Sequence, residues 1–220
     1  MSNTDFSRAF VNGRELEVES KIVTFKCHTL GELVITTGGL VACDPFVFAD
    51  AQPFAVKISP GRYPVTLSIA SIADDERVAY AKLQVSDKPA SRWEMALLPN
   101  QELSSLEEGE MFCYSVDSGT DCFMDREAAA ILLQKLDSDD DYDQYLMDEM
   151  EKNYVHTWDW ADINLKAATE ANIITFKSGW GDGCYPSYFG YDDNGGVVAL
   201  VTDFQLFNDE DKEVYPGGEA

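Results

Sequence analysis

Tyr63-Pro64-Val65-Thr66-Leu67-Ser68-Ile69 runs into the polar turn Asp74-Asp75-Glu76, and Arg77-Val78-Ala79-Tyr80-Ala81-Lys82-Leu83-Gln84-Val85 follows it. Both stretches alternate with a period of two and are rich in β-formers, the pattern of strands that bury one face. The turn between them is short, so the two strands form an antiparallel hairpin or meander. This pair sets the reading of the fold: an antiparallel β framework, to which the rest of the chain is added.

Working outward toward the N-terminus, Leu16–Val18 and Ile22–Cys27 read as short strands, and Leu33–Thr37 as a β-branched one. Gly38-Gly39 is a turn signal, and Leu40–Cys43 reads as the return strand of a second hairpin. Asp44-Pro45 ends it, because proline cannot continue a ladder. Trp93–Leu97 is one more short strand before Pro99.

Toward the C-terminus, Met111–Val116 reads as a strand that stops at Asp117-Ser118-Gly119. Asp125 is a good N-cap for a helix over Arg126–Leu136, with Lys135 suited to its C-terminal dipole. Asp137–Asp141 breaks that helix. A second helix follows over Tyr142–Tyr154, with Tyr142, Tyr145, Leu146, Met150 and Tyr154 expected on one face and acids on the other. Strands return at Ile173–Lys177, Pro186–Tyr191 and Val197–Phe207. Asn194-Gly195 supplies the strongest hairpin signal in the chain. The acidic, Gly-rich tail from Asn208 to Ala220 reads as frayed. The expectation is one α+β domain over residues 1–220, mostly antiparallel β-sheet, with an acidic helical pair inserted at about 125–155.

The charge is uneven. Residues 1–100 hold 12 acids and 10 bases, residues 101–151 hold 16 and 2, and residues 152–220 hold 12 and 4, for a net charge of −24. Such a field repels nucleic acid and anionic membrane, whose binding needs cations to neutralise phosphate. It favours a basic protein as partner, and acidity also serves solubility. The start lacks the cationic and apolar regions of a secretory signal, and no apolar run approaches a bilayer span, so a cytoplasmic location is expected. The five cysteines show no C-x-x-C spacing, and several lie in apolar text. All five are read as reduced thiols.

Few groups offer chemistry. His28 and His156 are the two histidines, thin material for a zinc site or a Ser-His-Asp triad. Asp117-Ser118-Gly119-Thr120 matches aspartic-protease text, but the paired carboxylate needs a second copy or a symmetric dimer; no second copy exists, and the helix expected within six residues departs from that fold. Asp137, Asp139, Asp141 and Asp148 have EF-hand spacing, but Tyr142 stands where the loop needs glycine. Gly179-Trp180-Gly181-Asp182-Gly183 has the spacing of a phosphate cradle, yet a strand follows it and Asp182 sits inside it, which disfavours a dinucleotide. Two readings of that loop stand side by side: a tight β-connection, or a loop offering Trp180 and Asp182 to a ligand. No cofactor is called for.

Taken in order, several segments combine. Thr37-Gly38-Gly39-Leu40-Val41-Ala42-Cys43-Asp44-Pro45, Pro60-Gly61-Arg62-Tyr63-Pro64-Val65 and Arg77-Val78-Ala79-Tyr80-Ala81 come first. Trp93-Glu94-Met95-Ala96, Val116-Asp117-Ser118-Gly119-Thr120 and Ser178–Pro186 follow, then Gly190-Tyr191-Asp192 and Val201-Thr202-Asp203-Phe204. The series resembles the bacterial family known as domain of unknown function 4241, over about residues 30–207. The resemblance supports one domain, supplies no catalytic residues to carry over, and leaves the activity open.

Two functions are therefore expected side by side. One is a non-enzymatic, acidic protein-binding module, an immunity- or antitoxin-like protein neutralising a basic partner. Its contact residues would be Asp139, Asp140, Asp141 and Asp143, with Asp117, Trp180, Asp182 and Tyr185 at the loop. The other is a hydrolase using Asp117, Asp125, Asp182 or Asp203, with or without a divalent ion.

Overall fold

The computed structural model describes residues 5–166 and 168–207, and the backbone of a strand at 212–214. Fourteen strands are β1 (Glu15–Val18), β2 (Lys21–Ile35), β3 (Leu40–Cys43), β4 (Gly61–Ile72), β5 (Asp75–Gln84), β6 (Arg92–Met95), β7 (Tyr114–Val116), β8 (Thr120–Asp125), β9 (Trp160–Lys166), β10 (Ala171–Lys177), β11 (Gly183–Tyr185), β12 (Ser187–Tyr191), β13 (Val197–Asp203) and β14 (Lys212–Val214). Two helices, α1 (Arg126–Ser138) and α2 (Tyr142–Glu151), interrupt them. No helix of the described residues is long and apolar enough to cross a membrane.

The strands form a large sheet in the order β14-β1-β2-β4-β5-β13-β12-β6, a small sheet β3-β8-β10-β9, and a two-stranded ribbon β11-β7. Every pairing among the described residues is antiparallel. The fold is thus α+β, and the β4–β5 hairpin that opened the reading lies near the middle of the large sheet.

Alternation explains the layers. On β4, Val65, Leu67 and Ile69 point inward to meet Phe123, Ile174 and Phe176 of the small sheet. Ala70 faces the opposite side by the same alternation, and the register shift at Ser68/Ile69 leaves Ala79 of β5 as the extra residue, also on that side. There the 3-10 turn Phe6–Phe10 covers the large sheet, with Phe6 against Trp93 and Tyr188. The far face of the small sheet carries Cys122, Met124, Ile163 and Ile173, which α1 and α2 cover with Ala128, Leu132, Leu146 and Met150. β8 and β10 are covered on both faces, and nearly all their residues are buried.

Several expectations change. Leu33–Thr37 and Leu40–Cys43 are not a hairpin: β2 pairs β4 in the large sheet, and β3 pairs β8 in the small one. Gly38, at φ +79°, sends the chain from one sheet to the other. Ile22–Cys27 and Leu33–Ile35 belong to one 15-residue strand, irregular between Thr29 and Gly31. On α2, Tyr142, Leu146 and Met150 are buried, but Tyr145 and Tyr154 are exposed, because α2 ends at Glu151 and its buried stripe is narrower than expected. Lys212–Val214 pairs β1 instead of fraying; the rest of the tail expectation falls outside the described residues.

The cysteines also differ from expectation. Cys113 and Cys184 form a disulfide, brought together because the β7–β11 ribbon places the two chain segments side by side. Cys27, Cys43 and Cys122 are free thiols.

Candidate functional site

The Asp117-Ser118-Gly119 turn and the Ser178–Gly183 loop, singled out separately in the sequence, are neighbours. The ribbon pairs Gly183 with Val116, and a Cβ built on Gly119 would stand 3.5 Å from the Gly181 Cα. Asp44 holds the first turn: its buried carboxylate accepts from the Asp117 and Ser118 amides at 2.9 and 2.7 Å, and from those of Phe46 and Val47. Tyr185 holds the second: it is buried, and its hydroxyl donates to the Gly181 carbonyl at 2.7 Å. Tyr185 is therefore the loop's anchor. Asp117 and Asp182 are exposed.

Beside this junction lies a hollow of about 200 Å³ lined by Arg77, Thr157, Trp158, Lys177, Trp180 and Gly181. The Arg77 guanidinium sits 5.0 Å from the Trp180 ring centroid, a cation–π arrangement, while the indole remains 58% exposed. Asp75 fixes Arg77 with bonds from Nε and Nη2 at 2.8 and 2.7 Å. A bond from Thr157, together with Arg77, holds the Asp75 carboxyl below the usual carboxylate range. Lys177 stands 3.9 Å from Asp159, whose carboxyl burial pushes up.

The remaining sequence candidates separate from this junction. Asp125 is fully buried at the α1 N-terminus and accepts from the Glu127 amide, the Thr37 amide and the hydroxyls of Thr36 and Thr37. It lies at the opposite end of β8 from the Asp117 turn, about 16 Å of extended chain away. Asp203 accepts from the Gln205 amide at 2.8 Å. Asp139, Asp140, Asp141 and Asp143 are all exposed around the α1–α2 turn. Among the described residues, no group of three or more His, Cys, Asp or Glu side chains is arranged to hold a metal ion.

A second, larger cavity of about 410 Å³ opens between β3, the loop at 48–54, the chain after β6, and the segment leading into β7. Behind it lies a buried polar chain that sequence reasoning missed. Tyr114 donates to Asp121, and its hydroxyl is 3.2 Å from Thr202 Oγ1, which is 2.8 Å from Ser187 Oγ. Asp121 and Thr202 have no exposed surface, and Ser187 has 2%. Burial drives the Asp121 carboxyl and the Tyr114 phenol well above their ordinary ranges. The one available signal was the acid Asp121 beside the apolar run Cys122-Phe123-Met124 in β8. The four partners come from β7, β8, β13 and β12, which no local spacing links.

The family model for protein of unknown function (DUF4241) matches residues 33–202. The chain belongs to this family. The DUF4241 region spans β2 to β13 and includes both sheets' centres, both helices, the junction and the cavity. No curated protein and no solved structure matches the DUF4241 chain.

Proposed function

We propose that this DUF4241 protein is a non-enzymatic binding module that takes a basic protein on its helical layer. An immunity- or antitoxin-like protein neutralising a basic toxin is the concrete form. The outer surface of α1 and α2 carries the reading. Residues 126–151 hold nine acids (Glu127, Asp137, Asp139, Asp140, Asp141, Asp143, Asp148, Glu149, Glu151) against Arg126 and Lys135. Among those acids stand the exposed side chains of Tyr145 and Met147, with Tyr154 just beyond α2. Aromatic and Met anchors ringed by charge supply both parts of a recognition surface: the anchors give contact area, and the charge gives steering and choice of partner.

The alternative, a carboxylate hydrolase, draws on the adjacency of the Asp117 and Asp182 turns. Asp125 adds little to it, since its oxygens are spent on the helix cap.

The test is capture of partners from the native cell with the purified protein, washed at low and at high salt, with retained proteins identified by mass spectrometry. A basic protein held at low salt and released at high salt is expected. Reversal of Asp139, Asp140, Asp141 and Asp143 to Lys should weaken that complex by at least tenfold, through slower association. Unchanged affinity in the reversed variant would sink the reading.

A further inference from the structure

No residue of α1 or α2 lines the 410 Å³ cavity, and its walls are pinned before any ligand arrives. Phe54 donates its amide to Leu40, Ala55 to Leu97, and Ala96 to Ser187, at 2.9, 2.8 and 2.7 Å. The Leu98 amide donates to the Gln101 side chain at 2.8 Å, and the Cys113–Cys184 disulfide ties down the segment bearing Phe112 and Tyr114. A pocket of this size with fixed walls is the usual form of a small-molecule site.

The lining selects the ligand. Phe48, Phe54, Leu98 and Phe112 offer an apolar body. No Lys, Arg or His lines the cavity, so an anion entering it would have no counter-charge, in a protein whose net charge is −24. The one charged lining residue, Asp50, is exposed, where water screens it. Gln52, Asn100 and Ser115 also line the cavity but are exposed, and Gln101 is engaged with the Leu98 amide, so recognition out of water falls to the buried hydroxyl chain, which reaches the cavity wall at Ser187 and Tyr114. A hydroxyl has one hydrogen and two lone pairs. Ser187 Oγ has one protein partner, Thr202 Oγ1, so it retains capacity for a ligand. Tyr114 has one hydrogen and two acceptors in reach, Asp121 and Thr202, so its neighbours can adjust donor and acceptor roles.

We propose that this cavity binds an uncharged, largely aromatic small molecule bearing one hydroxyl or carbonyl, whose oxygen bonds Ser187 at the end of the Asp121–Tyr114–Thr202–Ser187 chain.

Three probes on one ring system test it: naphthalene, 2-naphthol and 2-naphthoate, titrated at neutral pH against the full chain. Binding is read by calorimetry and located by amide chemical-shift changes at Ala96, Phe112 and Tyr114. 2-Naphthol should bind about 2- to 10-fold more tightly than naphthalene, the yield of one neutral hydrogen bond. 2-Naphthoate should bind at least tenfold more weakly than 2-naphthol, for want of a counter-charge. Ser187→Ala should reduce the 2-naphthol preference to about one while naphthalene still binds. Ala96→Phe, which fills the cavity, should abolish binding of all three while the thermal unfolding transition persists. The proposal is overturned if no probe binds up to its solubility. It is also overturned if the anion binds as well as the alcohol, or if the preference survives in Ser187→Ala.

Discussion

Replacing both members of the Cys113–Cys184 pair with Ser probes how far a single covalent link holds the sheets in place. The two cysteines are 71 residues apart, and the segment between them contains β8, both helices, β9 and β10. Closing a loop of that length in the unfolded chain removes conformational entropy worth about 4.4 kcal/mol at 25 °C by the chain-entropy relation, and native disulfides deliver about 2–4 kcal/mol in practice. The effect acts on the unfolded state, so the folded ribbon should persist, held by β7–β11 pairing and by the Tyr185 bond to Gly181. With a urea slope of about 2–3 kcal/mol per molar for a chain of this size, the unfolding midpoint should fall by roughly 1–2 M. Tryptophan fluorescence in urea measures it, on the oxidised protein, the reduced protein and the Cys113→Ser/Cys184→Ser variant. The last two should coincide, because Cys43 and Cys122 remain buried thiols in both. A variant midpoint within roughly 0.3 M of the oxidised protein would refute the loop-closure reasoning.

Other outcomes follow from single contacts. Gly38→Ala places a Cβ 2.5 Å from the Ile58 carbonyl oxygen at a residue with φ +79°, and should cost about 2–4 kcal/mol in chemical denaturation. Asp125→Ala removes the acceptor for two amides and two hydroxyls at a buried cap; about 3 kcal/mol should be lost, with circular dichroism reporting loosening of α1. Asp121→Asn tests the buried acid through pH. Its folded pKa is raised, so the folded state holds the proton while the unfolded carboxyl releases it near pH 4. Wild-type stability, relative to Asp121→Asn, should therefore be greatest below about pH 4 and decline as pH rises toward the raised folded pKa. A stability difference that does not vary with pH would remove the assignment.

What the sequence made legible was local. The β4–β5 and β12–β13 hairpins show in the text because alternation and a turn lie within a dozen residues of each other. Asp125 was readable as a cap for the same reason, and the helix it starts is present. β3 pairing with β8 was hidden, since Gly38-Gly39 looks like any hairpin turn and the true partner lies some eighty residues on. β9 is absent from the sequence reading, although Ala161, Ile163 and Leu165 alternate with polar residues; Trp158 is core, and Trp160 opens this edge strand. The junction of the Asp117 and Trp180 loops could be named by its parts but not as a meeting point. The hydroxyl chain behind the cavity was not legible, because Tyr114, Ser187 and Thr202 look ordinary and Asp121 alone does not name its partners until four strands bring them together.

The position of β13 bears on how the protein is made. β5 pairs β4 on one side, but its other edge is covered by Val197–Asp203. During synthesis the first hairpin emerges early, while its cover must wait for more than a hundred further residues, roughly 5 to 25 s at typical elongation rates. Throughout that interval β5 presents an open row of amides and carbonyls beside Val78, Ala81 and Leu83, the kind of edge that recruits other chains. The nascent protein is thus most vulnerable to aggregation after its sheet has begun and before its last third has left the ribosome. A C-terminal truncation before β13 should therefore appear in the insoluble fraction.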